Sequence, residues 1–314
     1  VENKSLARHI FVVVLTHNRA DELIATLERL LALPEHPHIF VADNASKRPR
    51  GRDRPDVVPD GLRDRVRRQS RRCGTQSRGR LRRHRLRRLL RRQHVWEPGS
   101  LARAVQLLDA WPNVGVLSAR VVVGEDKVTD PTCAVMRASP LGSDGLPGPA
   151  LIGYMAGACV FRTALFRAVG GYEPRLFIGG EEELVALDMV AANQSIVYCE
   201  QLTVHHHPSP ARDSGLRRRT LARNAAWIAW LRLPWPQACR ATLRALDLLA
   251  REGRFLRDSA GLLRGLTWAL PRRRVVPAAV LSLRKRVHAA DRSAGTAMAR
   301  PNAKPAVGEN EARI

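Results

Sequence analysis

The chain has 314 residues, with 53 Lys and Arg against 29 Asp and Glu, a formal charge of +24. Such a length holds one full α/β core plus an appended element, and such a charge would suit a nucleic-acid binder. Its distribution argues against that class, because residues 47–94 hold 20 Lys or Arg against 4 Asp, a net of +16 that leaves only +8 elsewhere.

The first predicted element is the run Ile10 to Leu15, apolar and rich in β-branched residues, cut off by Thr16-His17-Asn18-Arg19. That pattern reads as a buried parallel strand whose C-terminal end opens into a site. Leu23, Leu27, Leu30 and Leu31 then recur at helical spacing behind Asp21 and Glu22, acids that suit a first helical turn. A second strand, Ile39 to Ala42, ends in Asp43-Asn44. The three elements make a βαβ unit, and open α/β sheets bind ligands at the edge where both strands end. No glycine-rich loop follows the first strand, so neither a dinucleotide site nor a P-loop is supported.

From Lys47 to His94 the pattern fails: the chain carries too few apolar residues for a core strand and too much like charge for a helix. Regular patterning resumes at Trp96-Glu97-Pro98-Gly99, with Leu101, Val105 and Leu108 on one helical face and Val114 to Ala119 as another buried strand. Residues 140–149, rich in Pro and Gly, read as a loop that serves as a lid. In Tyr154 to Cys159, the small residues Gly157 and Ala158 let backbone come close to a ligand or to a neighbouring element. Gly179-Gly180 precedes Glu181-Glu182-Glu183, a like-charge cluster that reads either as a catalytic carboxylate site or as an acidic helix start. Strand-like residues 196–204 lead into His205-His206-His207, of which His205 and His207 share a strand face.

Leu216 to about Ala290 is helical and basic, with Trp and Leu faces between arginines. It suits either helices packed on the preceding domain or an interfacial surface on anionic lipid. Residues 291–314 lack periodicity and are expected to be a disordered tail. Five widely spaced cysteines without C-x-x-C pairs argue against zinc and for a reducing compartment. No apolar run approaches the ~18 residues of a membrane-spanning helix and no secretory leader is legible. A cytoplasmic protein, peripheral on the inner face of the plasma membrane, is expected.

Four motifs occur in a set order: Val14-Leu15-Thr16-His17-Asn18-Arg19 with Val41-Ala42-Asp43-Asn44; Gly157-Ala158-Cys159-Val160-Phe161-Arg162; Val169-Gly170-Gly171-Tyr172-Glu173; and Phe177-Ile178-Gly179-Gly180-Glu181-Glu182. Together they resemble the inverting family-two glycosyltransferases, over about residues 8–46 and 95–207. The resemblance implies a GT-A-like, Rossmann-related mixed α/β sheet sandwiched by helices. The nucleotide-sugar-binding catalytic domain would span 1–208, followed by a helical extension over 209–290. It implies a nucleoside-diphosphate sugar as donor and a hydroxyl on a cell-envelope glycan or lipid-linked acceptor, with bacterial rhamnosyl- or galactofuranosyl-type transfer as the nearest match. Thr16, Asn18, Arg19, Asp43 and Asn44 would bind the nucleotide, and Gly157 and Ala158 would line the donor and acceptor pocket. Glu182, beside Glu181, would be the base that takes the acceptor proton. A divalent cation, Mg2+ or Mn2+, is implied as well, with His205 and His207 as candidate ligands.

The family also places a strand ending in an Asp-x-Asp-like cluster just before a turn like 96–99, yet no acid stands between Asp64 and Glu97. Residues 47–94 are read as encoded out of frame: arginine codons beginning CG, shifted by one base, become codons for Ala, Gly, Val or Asp. The run Arg88 to His94 would then admit an aliphatic and aromatic strand followed by acids. Two rivals remain: a transferase relic that has lost its metal cluster, and a genuine basic insertion that binds nucleic acid through phosphates. The last leaves Asp43 and the glutamate cluster unexplained.

Overall fold

The computed structural model describes residues 10–16, 20–43, 90–91, 94–177, 179–206, 214–252 and 255–298. Asn18, Arg19, Asn44, His207 and nearly all of the basic stretch 47–94 lie outside the described residues.

Strand β1 (Phe11–Thr16) and strand β2 (His38–Asp43) pair in parallel, from Phe11 opposite His38 to Thr16 opposite Asp43. Helix α1 (Ala20–Leu31) joins them and buries Leu23, Leu27 and Leu30 completely, as its leucine spacing requires. Val12, Val13 and Val14 are all buried, the signature of a strand covered on both faces. On the other side of β1 the two-residue strand β3 (Leu90–Arg91) pairs in parallel with Val14 and Leu15. The shifted reading calls for a strand in this part of the chain; the residues on either side of β3 lie outside the described ones.

The second sheet has the order β4-β9-β5-β6. Strand β4 (His94–Trp96) runs antiparallel to β9 (Ser195–His206), and β9 lies parallel to the central β5 (Val114–Val123). Short strands complete it: β6 (Val128–Thr129) and β8 (Cys159–Phe161) on β5, and β7 (Ala150–Leu151) on β9. Helix α2 (Ser100–Ala110) begins behind Gly99, whose φ of 87° suits a residue without Cβ. The amide of Ala102, in its first turn, donates to the buried Glu35 carboxylate, tying the βαβ unit to the second sheet. One hydrophobic core spans both sheets, running from Val12, Leu23 and Leu27 to Leu107, Leu117 and Val197.

Helices α3 (Pro131–Arg137), α4 (Thr163–Ala168) and α5 (Glu181–Ala191) flank the second sheet. Asp130 caps α3 by accepting from the Thr132 amide at 2.8 Å, with Pro131 in the first turn. Helix α5 is apolar nearly all round and lies between two cores. Val185, Ala186 and Met189 enter the first, while Leu184 and Leu187 enter a second with Trp227, Ile228, Leu231 and Val280. That second core draws on α6 (Ser214–Arg232), α7 (Trp235–Arg251), α8 (Phe255–Ala269) and α9 (Ala278–Met298), with a 3-10 turn (Leu270–Arg272) following α8. Helix α9 continues to Met298, beyond residue 291, where the sequence pattern places the start of a tail. The loop read as a lid is anchored at its far end: the Tyr198 amide donates to the Pro149 carbonyl at 2.9 Å, and Gly148 lies against the Tyr198 carbonyl.

Candidate active site

The turn before α5 is tightly constrained. Gly179 and Gly180 have φ of 82° and 86°, and Phe177 also takes a left-handed φ of 61° despite its ring. A bulky residue in that region stores strain, which persists only where surrounding contacts hold it. Those contacts come from α6. The buried Asn224 amide donates to both the Leu176 and the Gly179 carbonyl at 2.6 Å. A Cβ on Gly179 would meet Leu221 at 2.2 Å, and one on Gly180 would meet Ile228 at 2.7 Å. Leu221, Asn224 and Ile228 are spaced to share one face of α6, so that face is the seat of the loop. Arg223 holds Asn224 in its rotamer by donating to its Oδ1 at 2.9 and 3.1 Å, while its guanidinium lies 4.2 Å over the Trp227 ring.

The seat separates the three glutamates. Glu181 is buried, 3% exposed. Glu183 pairs with Arg284 of α9 at 2.9 Å. Glu182 is half-buried, and its charge reaches Tyr154, Tyr172 and Cys159. The Tyr154 hydroxyl donates to that of Tyr172 at 3.2 Å. The two rings close an aromatic circuit through Phe161 and Phe166, with centroids 4.9 to 5.2 Å apart and mostly edge-to-face. Burial, and then neighbouring negative charge, push both phenols well above the usual tyrosine range; the Cys159 thiol is raised by burial and by Glu182. These groups stay protonated in neutral water. The Glu182 charge is thus felt by a mostly apolar aromatic cluster that carries neutral hydroxyls.

Ala158 is fully buried, and its carbonyl accepts from the Ala119 amide at 2.8 Å. The turn through Gly157 and Ala158 feeds directly into Cys159, whose thiol feels the Glu182 charge. Thr16 and Asp43 are register partners at the C-terminal end of the parallel pair. His205 lies in β9 between Val95 and Val122.

No family model matches the chain, and no curated protein does. The chain is similar in structure to the mannosyltransferase PcManGT from Pyrobaculum calidifontis, solved with GDP-Man and Mn2+. The identity is 18%, covering 93% of this chain and 80% of that one, with a TM-score of 0.46. It is also similar to GalNAc-T7, solved with UDP, GalNAc and Mn2+ (13% identity, 83% of this chain and 57% of that one, TM-score 0.49). A third similar structure is TarS of S. aureus (13%, 83% and 55%, TM-score 0.44). The chain therefore spans little more than half the length of the latter two.

Among the described residues, no group of three His, Cys, Asp or Glu side chains could hold a metal ion. The expected divalent cation finds no fitting donor set among those residues.

Sequence reasoning missed Asn224, Arg284 and the Tyr154–Tyr172 pair. The Gly170-Gly171 turn was a usable signal for Tyr172: Gly171 has a φ of 64°, and a Cβ there would lie 3.1 Å from the Phe166 ring. Asn224 gave none, because an asparagine inside an Arg-rich helix looks like solvated surface.

Proposed function

We propose that the chain is a GT-A-type glycosyltransferase that moves a sugar from a nucleoside-diphosphate donor to a hydroxyl, with inversion. The observation that carries the reading is the division of labour among the three glutamates. Glu181 is buried and Glu183 is bound to Arg284, while Glu182, half-buried on the turn braced by Asn224, lies near enough to Tyr154, Tyr172 and Cys159 for its charge to raise their pKa values. In the reaction the acceptor oxygen forms a bond to the anomeric carbon as the bond to the diphosphate breaks. The acceptor proton passes to the Glu182 carboxylate, and the nucleoside diphosphate departs. Thr16, Asn18, Arg19, Asp43 and Asn44 hold the nucleotide at the β1–β2 edge, where parallel strands present their ends to ligands, and Gly157 with Ala158 lines the sugar pocket. The acceptor is a cell-envelope glycan or a lipid-linked saccharide, met at the cytoplasmic face of the membrane.

The test is binding and turnover with a panel of UDP-, GDP- and dTDP-sugars, followed as release of the nucleoside diphosphate. Glu182→Gln should lose turnover by about 10²- to 10⁴-fold while keeping donor affinity, as removal of a general base does. Equal turnover in wild type and Glu182→Gln overturns the assignment.

A second reading is favoured by the sequence itself, which has no Asp or Glu between Asp64 and Glu97 where the acidic cluster is expected. In that reading the chain as written is a transferase whose acidic cluster has been lost, and donor binding is weak and indifferent to added Mn2+.

A further inference from the structure

We infer that the outer face of α8 is a docking surface for an anionic lipid bilayer, which deepens the membrane-face part of the reading above. Helix α8 packs inward through Ser259, Leu262, Gly265 and Ala269. The fit is close: the Trp227 indole donates to the Leu262 carbonyl at 2.9 Å, and a Cβ on Gly265 would overlap the same ring at 2.1 Å. Rotation of about 100° per residue then fixes what faces out. Leu256, Ala260, Leu263 and Thr267 form one exposed stripe that continues into Leu270. Leu256 is 84% exposed and Leu263 is 54% exposed.

Charge identifies the occupant. Arg257 and Arg264, each one residue beyond a stripe leucine, are exposed and together border one side of the stripe. Asp258 lies within reach of Arg219 at 3.3 Å, on the packed side of the helix. Residues 255–298 carry nine Lys or Arg against two Asp. A narrow leucine stripe bordered by guanidinium groups matches the boundary between acyl chains and anionic headgroups, with the arginine stems lying along the apolar side and their heads in the phosphate layer. No helix among the described residues is long and apolar enough to cross a membrane, so the contact is one of lying on the surface. The stripe would hold the protein against a bilayer that carries a lipid-linked acceptor.

The experiment is co-sedimentation of the full chain with vesicles of phosphatidylcholine alone or with about 30% phosphatidylglycerol, a negative surface that attracts basic faces. Wild type should partition onto the anionic vesicles and not onto the neutral ones. Leu256→Asp with Leu263→Asp should lower that partition by about tenfold or more, since it removes apolar insertion and adds like charge to the lipid. Residues 47–94 are themselves basic, so this variant decides the matter: binding that survives it overturns the proposal. Failure of wild type to sediment with either vesicle also overturns it, as does a change from dimer to monomer in the variant, which would assign the face to a second copy. Should the double variant lose its native circular dichroism, Leu256→Asp alone, at the most exposed position, gives the same readout. Sedimentation needs no sugar donor, so failure here and failure of the transferase reading are seen separately.

Discussion

At the scale of single residues, close approach and burial govern what can change. Gly148 has no room for a side chain, because a Cβ would lie 2.2 Å from the Tyr198 carbonyl oxygen, a backbone atom that cannot swing aside. Gly148→Ala should therefore destabilise the fold by about 1–3 kcal/mol, the ordinary cost of overpacking, read as a fall in the thermal midpoint. His38 is buried, with its ring stacked 5.2 Å from that of Phe11, and burial lowers its pKa below the ordinary 6.5. Below pH 6.5 the unfolded chain binds a proton that the folded chain refuses. Stability from this group is thus complete above that pH and is lost as pH falls toward the folded value. The thermal midpoint should decline on acidification from pH 7 to 5, and His38→Phe should decline less than wild type. A parallel decline in both would refute the assignment.

At the scale of elements, α6 sets the geometry of the glutamate turn. Asn224→Ala removes both hydrogen bonds to that loop and leaves two buried carbonyls unpaired, a loss of about 1–3 kcal/mol. If the turn positions the base, the variant should lower turnover while the affinity for donor, held elsewhere, stays unchanged; a rise in the donor constant alone would speak against it. The βαβ unit was legible because a buried parallel pair leaves nothing ambiguous: continuous β-branched runs, four leucines at helical spacing, polar residues at both strand ends. The start of α5 was legible from Gly-Gly before acids. What supports it was not, since Asn224 and Arg284 act from 45 and 101 residues away along the chain and their spacing obeys no local period. Sequence periodicity reports which face of a helix is apolar, and α5, buried on both sides, has little such contrast to report.

At the scale of the molecule, the basic stretch and the cysteines give two further tests. The out-of-frame reading predicts an acidic cluster in a shifted frame of the gene between codons 46 and 95. A chain made with that frame restored should bind nucleotide sugar more tightly with Mn2+ than without it, by calorimetry. Two alternative frames free of such a cluster would end the idea. Cys133, Cys159 and Cys199 are buried, and burial pushes the Cys199 thiol up to about 12. Cys239 is exposed on α7. Peptide mapping after iodoacetamide at pH 8 should find Cys239 alkylated in the native protein and these other three only after denaturation.

The position of α5 between two cores has a consequence for how this chain can be divided. Cutting after residue 208 looks natural, since strands give way to helices there. Such a fragment would keep the α5 sequence but expose Leu184 and Leu187 to water, strand Asp188 without the Arg232 guanidinium, and leave the double-glycine turn with nothing behind it. The helices are a buttress, and a fragment shorn of them would forfeit the shape of the glutamate turn before it lost any residue that forms it.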